Sequence, residues 1–281
     1  MSDSTGVKLR GIAAACLMVL AAAPVVVSAV AGADGPVTIE RALIGEVGAK
    51  TPEISTDDLR AVLAHGSAVV LDTRPHAEFA MGHIPGARNV SAKPGMPASM
   101  YVSDVAEIGR LLGGRKDTAI VLYCNGPFCG KSKRLADELL ADGYTKVRRY
   151  QLGIPVWRAL GGVAQIEDDG LRRVIGHDET AVFIDTRDSS VFAAGSVAGA
   201  RNIPRGGVLE GKDVGEVKRA KDDGRLPMND HNTRIVVLGT DGREARHVAE
   251  ALAREAFHNV AFYDGAFAQA QSVLKPAGPR R

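Results

Sequence analysis

The chain contains an internal copy of itself, and this duplication limits the folds open to it more than any other feature. The eighteen residues from Asp72 to Asn89 (DTRPHAEFAMGHIPGARN) are matched from Asp185 to Asn202 (DTRDSSVFAAGSVAGARN) at ten positions, at a constant spacing of 113 residues. A repeat of that period is the size of an ordinary domain, not of a solenoid module. At 281 residues, 45% apolar and 24% charged, the chain has the length and composition for two separate cores.

Strand and helix patterns alternate through the first copy. Ser55-Thr-Asp-Asp is a capping sequence for a helix over Thr56 to His65. A strand over Ala68 to Asp72, a helical turn over Ala77 to Met81 and an Ile84-Pro-Gly turn follow. Apolar residues at Val105, Ile108, Leu111 and Leu112 predict a helix over Val102 to Leu112. Next come a strand over Ala119 to Tyr123 and a helix over Ser132 to Asp142, closed by Gly143 as its C′ residue. Such alternation predicts an α/β fold: two tandem domains, each a parallel sheet flanked by helices. The expected divisions are a linker over 34–54, a first domain over 55–162, a second over 163–272 and a tail over 273–281. Arg205 to Asn232 is polar and charged, and reads as a helix-containing connection or a mobile flap.

The chemistry concentrates after the strand that ends at Tyr123. There the chain reads Cys124-Asn-Gly-Pro-Phe-Cys129-Gly-Lys-Ser132. A cysteine at a strand's carboxyl end, before a glycine-containing loop and a helix, faces backbone N–H groups and the helix's positive end, which favour its thiolate. Gly239 stands where Cys124 stands in the first copy, so the second copy offers no nucleophile.

The motifs name a family. Asp72-x-Arg74, the Gly82-His-Ile-Pro-Gly-Ala87 turn, and Gly143-Tyr144, Val147, Tyr150, Gly153 and Trp157 together resemble the rhodanese homology domain from Ser55 to about Gly162. The second half resembles an inactive rhodanese domain, its turn altered to Gly195-Ser-Val-Ala-Gly-Ala200. The resemblance implies sulfurtransferase chemistry with Cys124 as the persulfide-forming nucleophile, and no cofactor or metal. Asn125, Gly126, Phe128, Cys129, Gly130, Lys131 and Ser132 form the expected substrate-binding set. Backbone N–H groups around Gly126, Phe128 and Gly130 would cradle an anionic donor, Lys131 would balance its charge, and Phe128 would shelter the persulfide. The expected partners are a small anionic sulfur donor, a thiol or cyanide acceptor, and a protein persulfide as a further donor.

The loop departs from the family's common form. Ser132 lies eight positions after Cys124, and Cys129 occupies the place of an expected arginine, which puts donor preference in question. A phosphatase of related fold needs that arginine, and none occurs between Cys124 and Arg134. A non-catalytic binding or redox-sensing module with a Cys124–Cys129 disulfide switch shares every feature with the enzyme, and reactivity alone separates the two. Asp72 and Arg74 recur in the copy without a nucleophile, so they read as a fold-level pair. His83 and Trp157 read as a turn residue and a packing residue.

Residues 1–33 have the layout of a secretory signal: Lys8 and Arg10, an uncharged stretch from Gly11 to Ala33, and a small-x-small site at Ala31-Gly-Ala33. The expectation is an exported, periplasmic or secreted protein that does not contact the membrane after cleavage. The alternative is anchorage by residues 11–33, which are long enough to span a bilayer. A net charge of +2 and scattered basic residues give no footing for nucleic acid.

Overall fold

The structure is a computed structural model; it describes residues 38–97, 100–127 and 129–274. The first copy contains α1 (Thr56–His65), β1 (Val69–Asp72), α2 (His76–Met81), β2 (Arg88–Asn89), α3 (Asp104–Leu111), β3 (Ile120–Tyr123), α4 (Gly130–Ala141), β4 (Val147–Tyr150) and α5 (Gly153–Ala159). The second contains β5 (Ala164–Ile166), α6 (Asp168–His177), β6 (Val182–Asp185), α7 (Ser189–Ala194), β7 (Arg201–Asn202), α8 (Gly215–Asp222), β8 (Ile235–Leu238), α9 (Gly242–Arg254), β9 (Val260–Tyr263) and α10 (Phe267–Leu274).

Both sheets are parallel throughout, in the orders β2-β1-β3-β4 and β5-β9-β8-β6-β7. Each central strand is buried on both faces, which is why it reads as an unbroken apolar run. Along β3, Ile120 and Leu122 join one core with Leu71, Ile108 and Leu135. Val121 and Tyr123 join the other with Leu59, Ile84, Tyr150 and Trp157. In β8, Ile235 and Val237 divide from Val236 and Leu238 in the same way.

The capping signals act as expected at α1, where Ser55 and Asp58 form a reciprocal box. α3 begins at Asp104, later than the sequence suggests, because Ser103 takes the extended cap conformation and accepts from the Ala106 N–H. α4 begins earlier than expected, at Gly130, with Cys129 as its extended N-cap. The charged stretch after Arg205 holds α8, pinned by Lys221 to Glu255 and by Arg225 to Glu216.

The segment before Ser55, expected to be a linker, is built into the first domain. Glu53 forms a parallel bridge with Arg149 of β4, the place that Gln165 of β5 takes beside Phe262 of β9 in the second copy. Its carboxylate accepts from the N–H groups of Ile44, Gly45 and Glu46. Glu46 in turn takes Lys133 of α4 at 2.5 Å and Arg149 at 2.8 Å. Those two cations hold its carboxyl well below the usual range, near 2.

Helices α2 and α6 meet where Gly170 lies against the backbone of Ala80; a Cβ at Gly170 would fall on the Ala80 carbonyl. Residues 83 and 165 exchange backbone hydrogen bonds beside this contact, and Met81 packs into the core of the second domain. Gly170→Ala should therefore lower stability by about 1–3 kcal/mol through overpacking against backbone. Denaturant unfolding monitored at the single tryptophan, Trp157, would read this, and an unchanged midpoint would refute the contact.

Candidate active site

Cys124 is the first residue after β3 and is 4% exposed. The loop it opens lies against the turn between β4 and α5. Gly153 (φ +67°) makes this possible, since a Cβ there would lie 2.5 Å from the Cys124 carbonyl oxygen and collide with the Gly126 nitrogen. Gly126 (φ +105°) faces it, and the Ile154 N–H donates to the Cys124 carbonyl at 3.2 Å. The Cys129 N–H closes a turn on the Gly126 carbonyl at 3.0 Å.

Cys124 and Cys129 are joined by a disulfide, with Cα atoms 6.3 Å apart. Because Cys129 is the N-cap of α4 and supplies no side-chain cap, the helix's first-turn N–H groups point toward the sulfur loop without a protein acceptor from the cap.

The expected binding residues separate into two groups. Gly126 and Cys129 lie in the loop that Cys124 opens, Gly130 begins α4, and Phe128 lies outside the described residues. Asn125 is exposed, and its Nδ2 donates to Glu78 at 2.6 Å. Ser132 is buried in the first turn of α4. The Lys131 ammonium donates to the Ser91 hydroxyl at 3.0 Å and lies 3.4 Å from Asp104 on α3, so its charge is already matched.

The pair expected to serve the fold does so. Arg74 Nε is 3.0 Å from both oxygens of Asp72, and its Nη2 donates to the Gly82 carbonyl at 2.9 Å. Sequence reasoning missed Tyr123, whose hydroxyl donates to Asp72 at 2.6 Å and accepts from the Ile84 N–H. Burial pushes this phenol well above its ordinary pKa. Trp157 packs in the core and donates to the Val163 carbonyl.

In the second copy the register is preserved: Asp72 pairs with Tyr123, and Asp185 with Leu238, so Gly239 occupies the place of Cys124. A Cβ at Gly239 would lie 2.8 Å from Thr186 Oγ1 and from the Ala245 nitrogen. The loop there is only Thr240 and Asp241, and Asp241 caps α9. Among the described residues, no group of three or more His, Cys, Asp or Glu side chains is placed to hold a metal.

Two parallel sheets of this topology, one followed by a cysteine loop and one by a glycine, make a tandem α/β protein with one candidate nucleophile. The chain belongs to the rhodanese-like domain family, whose model matches residues 55–160 and 169–272. It is 34% identical over 116 residues to human thiosulfate:glutathione sulfurtransferase, covering 39% of this chain and 95% of that one. It is also 34% identical over 96 residues to the HTH-type transcriptional regulator Rv0324 of Mycobacterium tuberculosis, covering 34% of this chain but only 37% of the regulator. Among solved structures it resembles the 3-mercaptopyruvate sulfotransferase SseA of Escherichia coli (22% identity, TM-score 0.32, covering 75% of this chain and 96% of that one). Wild-type EanB matches at 18% identity and TM-score 0.36, covering 80% and 61%.

His83 is 1% exposed, stacked on Phe79 with ring centroids 3.8 Å apart. Its Nδ1 lies 3.1 Å from the Phe79 carbonyl, and its Nε2 lies 3.5 Å from Glu167. Burial lowers its pKa from 6.5 to about 4. The unfolded chain thus binds the proton first, and stability falls as pH drops from about 6.5 toward 4, then levels. Urea unfolding across that window should show a loss of no more than about 3 kcal/mol that is absent in His83→Gln. An identical acid limb in the variant would assign the loss to other groups.

Proposed function

We propose that the chain is an exported sulfurtransferase that moves a sulfane sulfur through a Cys124 persulfide. Sulfur transfer is the activity class its family supports, and the observation that carries the assignment is the position of Cys124. It lies at the end of β3, facing the uncapped end of α4, while its counterpart is glycine. That position favours the thiolate, the reactive form of the side chain.

Catalysis begins once an external dithiol has reduced the Cys124–Cys129 disulfide. The Cys124 thiolate attacks the outer sulfur of the donor, thiosulfate or a persulfide. The donor's S–S bond breaks, and sulfite, or the donor thiolate, leaves with the electron pair. An acceptor thiolate or cyanide then attacks the outer sulfur of the Cys124 persulfide and releases the Cys124 thiolate, completing a ping-pong cycle. Lys131 is paired with Asp104, so the donor's charge falls to the loop and first-turn N–H groups.

The disulfide supports a second reading of the same loop as a redox gate. The Cys129 thiolate attacks the inner sulfur of the Cys124 persulfide, expels hydrosulfide and closes the bond. The outer sulfur is reduced to hydrosulfide while the Cys129 thiolate is oxidised into the disulfide. Oxidation of Cys124 to a sulfenic acid is resolved by Cys129 in the same way, with loss of water.

After reduction and incubation with thiosulfate, mass analysis should find +32 Da on Cys124. Cys124→Ser should lower transfer to cyanide by at least about 10³-fold without unfolding the protein. Cys129→Ser should remain active and lose sensitivity to mild peroxide. Normal turnover in the Cys124 variant would refute the nucleophile, and equal peroxide sensitivity would refute the gate.

Residues 1–37 lie outside the described residues, and no helix among the described residues is long and apolar enough to cross a membrane. The export reading rests on the Lys8/Arg10 charges, the apolar stretch and the Ala31-Gly-Ala33 site. Protein isolated from its host should begin near Asp34 on N-terminal sequencing. A chain that keeps residues 1–33 and sediments with membranes would identify an anchor instead.

A further inference from the structure

The internal duplication provides a control for the first copy's core, and one pair of matched positions differs in kind. Arg149 of β4 lies beside Leu122 of β3, and Phe262 of β9 lies beside Val237 of β8, so the two residues occupy the same place in their sheets. Phe262 is 2% exposed and packs into the apolar core of the second domain. Arg149 is also 2% exposed, yet it carries a charge. An arginine where an aromatic ring suffices destabilises the fold unless a counter-ion meets it.

That counter-ion comes from outside the repeat. Residues 44–53 precede the matched domain, which begins at residue 55, and Glu46 of this segment accepts from Arg149 Nη1 at 2.8 Å. The same carboxylate accepts from Gln151 Nε2 at 2.8 Å and from Lys133 Nζ at 2.5 Å. Glu53 holds Glu46 in place, accepting from its backbone N–H at 3.0 Å and from Gln151 Nε2 at 2.5 Å. A more exposed pair, Lys50 with Asp137 at 3.6 Å, ties the segment to α4 a second time. The residue that the 113-residue repeat matches to Lys133 is Arg246, and it pairs with Glu250 of its own helix. The clamp therefore belongs to the copy that carries the nucleophile.

Lys133 and Gln151 support the sulfur loop from two sides. Lys133 lies on α4, one turn beyond the Cys129 N-cap. Gln151 opens the turn packed against the start of the loop. There a Cβ on Gly126 would lie 3.3 Å from the Leu152 carbonyl oxygen, and the Ile154 N–H donates to the Cys124 carbonyl at 3.2 Å. Cys124 is thus bound to one support and Cys129 to the other. A single carboxylate, Glu46, joins the two.

We propose that Glu46 is a positioning residue for the sulfur loop: through Lys133 and Gln151 it holds the start of α4 against the β4–α5 turn, and so sets Cys129 and the first-turn N–H groups relative to Cys124. It touches no substrate and joins in no bond making. The inference places control of the loop in a segment outside the repeated domain. Its kinetic consequence rests on the sulfur-transfer reading of Cys124, whereas its consequence for the disulfide does not. Arg149 is part of the same device. It matches the carboxylate that the clamp brings to β4, and the second copy, with no such loop to position, has phenylalanine there.

Lys133→Met cuts the link to α4 and leaves Arg149 paired. Lys133 is partly exposed, so the melting temperature should move little. Two other readouts should change. The kcat/KM for transfer from thiosulfate to cyanide should fall about tenfold, because displaced loop groups no longer meet the donor in line. The ratio of reduced to oxidised dithiothreitol that opens half of the Cys124–Cys129 disulfide, read by mass after alkylation, should fall at least about threefold, because Cys129 is held less closely to Cys124. Lys133→Arg, which keeps the ion pair, should restore both values. The double variant Glu46→Gln with Arg149→Phe removes the clamp and gives β4 the second copy's own residue, and it should match Lys133→Met. A wild-type disulfide midpoint in Lys133→Met would overturn the proposal, and so would wild-type kcat/KM in that variant. A shifted midpoint in a protein that sulfurates no acceptor would uphold the positioning role and refute the sulfurtransferase reading.

Discussion

The buried Asp72 carboxylate is the point on which the first domain depends. It takes the Arg74 backbone N–H and Nε together with the Tyr123 hydroxyl, and Arg74 reaches on to the Gly82 carbonyl. The end of β1, the end of β3 and the turn after α2 are thereby fixed to one another, and Cys124 follows Tyr123 directly. A buried ion pair adds little net stability against an apolar replacement, but removing one partner costs about 3–5 kcal/mol because the other is left charged. The second domain repeats the device: Arg187 pairs with Asp185 and donates to the Gly195 carbonyl, and Ser196 supplies the hydroxyl that Tyr123 provides in the first. Scaffold and chemistry are thus separable. The pair survives where the nucleophile does not.

The two copies diverge at the helix that follows the central strand. In the second, Asp241 accepts from the Glu244 N–H at 2.9 Å, so a carboxylate of the chain itself meets the positive end of α9. A Cβ at Gly242 would collide with Asp264, which closes that end further. In the first, five residues intervene between Cys124 and α4, and the cap is Cys129, which brings no acceptor. One helix end is satisfied internally and the other faces a sulfur loop. Restoring a cysteine at Gly239 alone would not recreate a site, because neither the space nor the free helix end is present there.

Much of this was legible in the sequence because it is local or repeated. The duplication fixed the domain count, the apolar runs marked the central strands, and the cysteine after Tyr123 could be placed by pattern. The parts that escaped depend on distant partners. Glu46 and Glu53 sit in a stretch of glycine, proline and polar residues that reads as a linker, yet they brace Lys133, Arg149 and Gln151 about a hundred residues away. Lys131 looked like a free cation until α3 brought Asp104 beside it. Arg158, Arg173 and Arg234 share no motif or spacing. Only the packing of α5, α6 and the approach to β8 around one cavity brings them together.

That packing explains what a second domain without a nucleophile contributes physically. On an isolated first domain, Arg158 would end a short helix in water, where its charge would be screened. Docking α6 against α2 through Gly170, and carrying Arg234 to the Met81 carbonyl, places a second protein surface beside the guanidinium. Lower local dielectric, with Arg234 and Arg74 nearby, raises the energy of Arg158 as a cation. The interface therefore sets the electrostatic environment at one edge of the sulfur loop, and the arginines it contributes make that edge more positive than the first domain could alone.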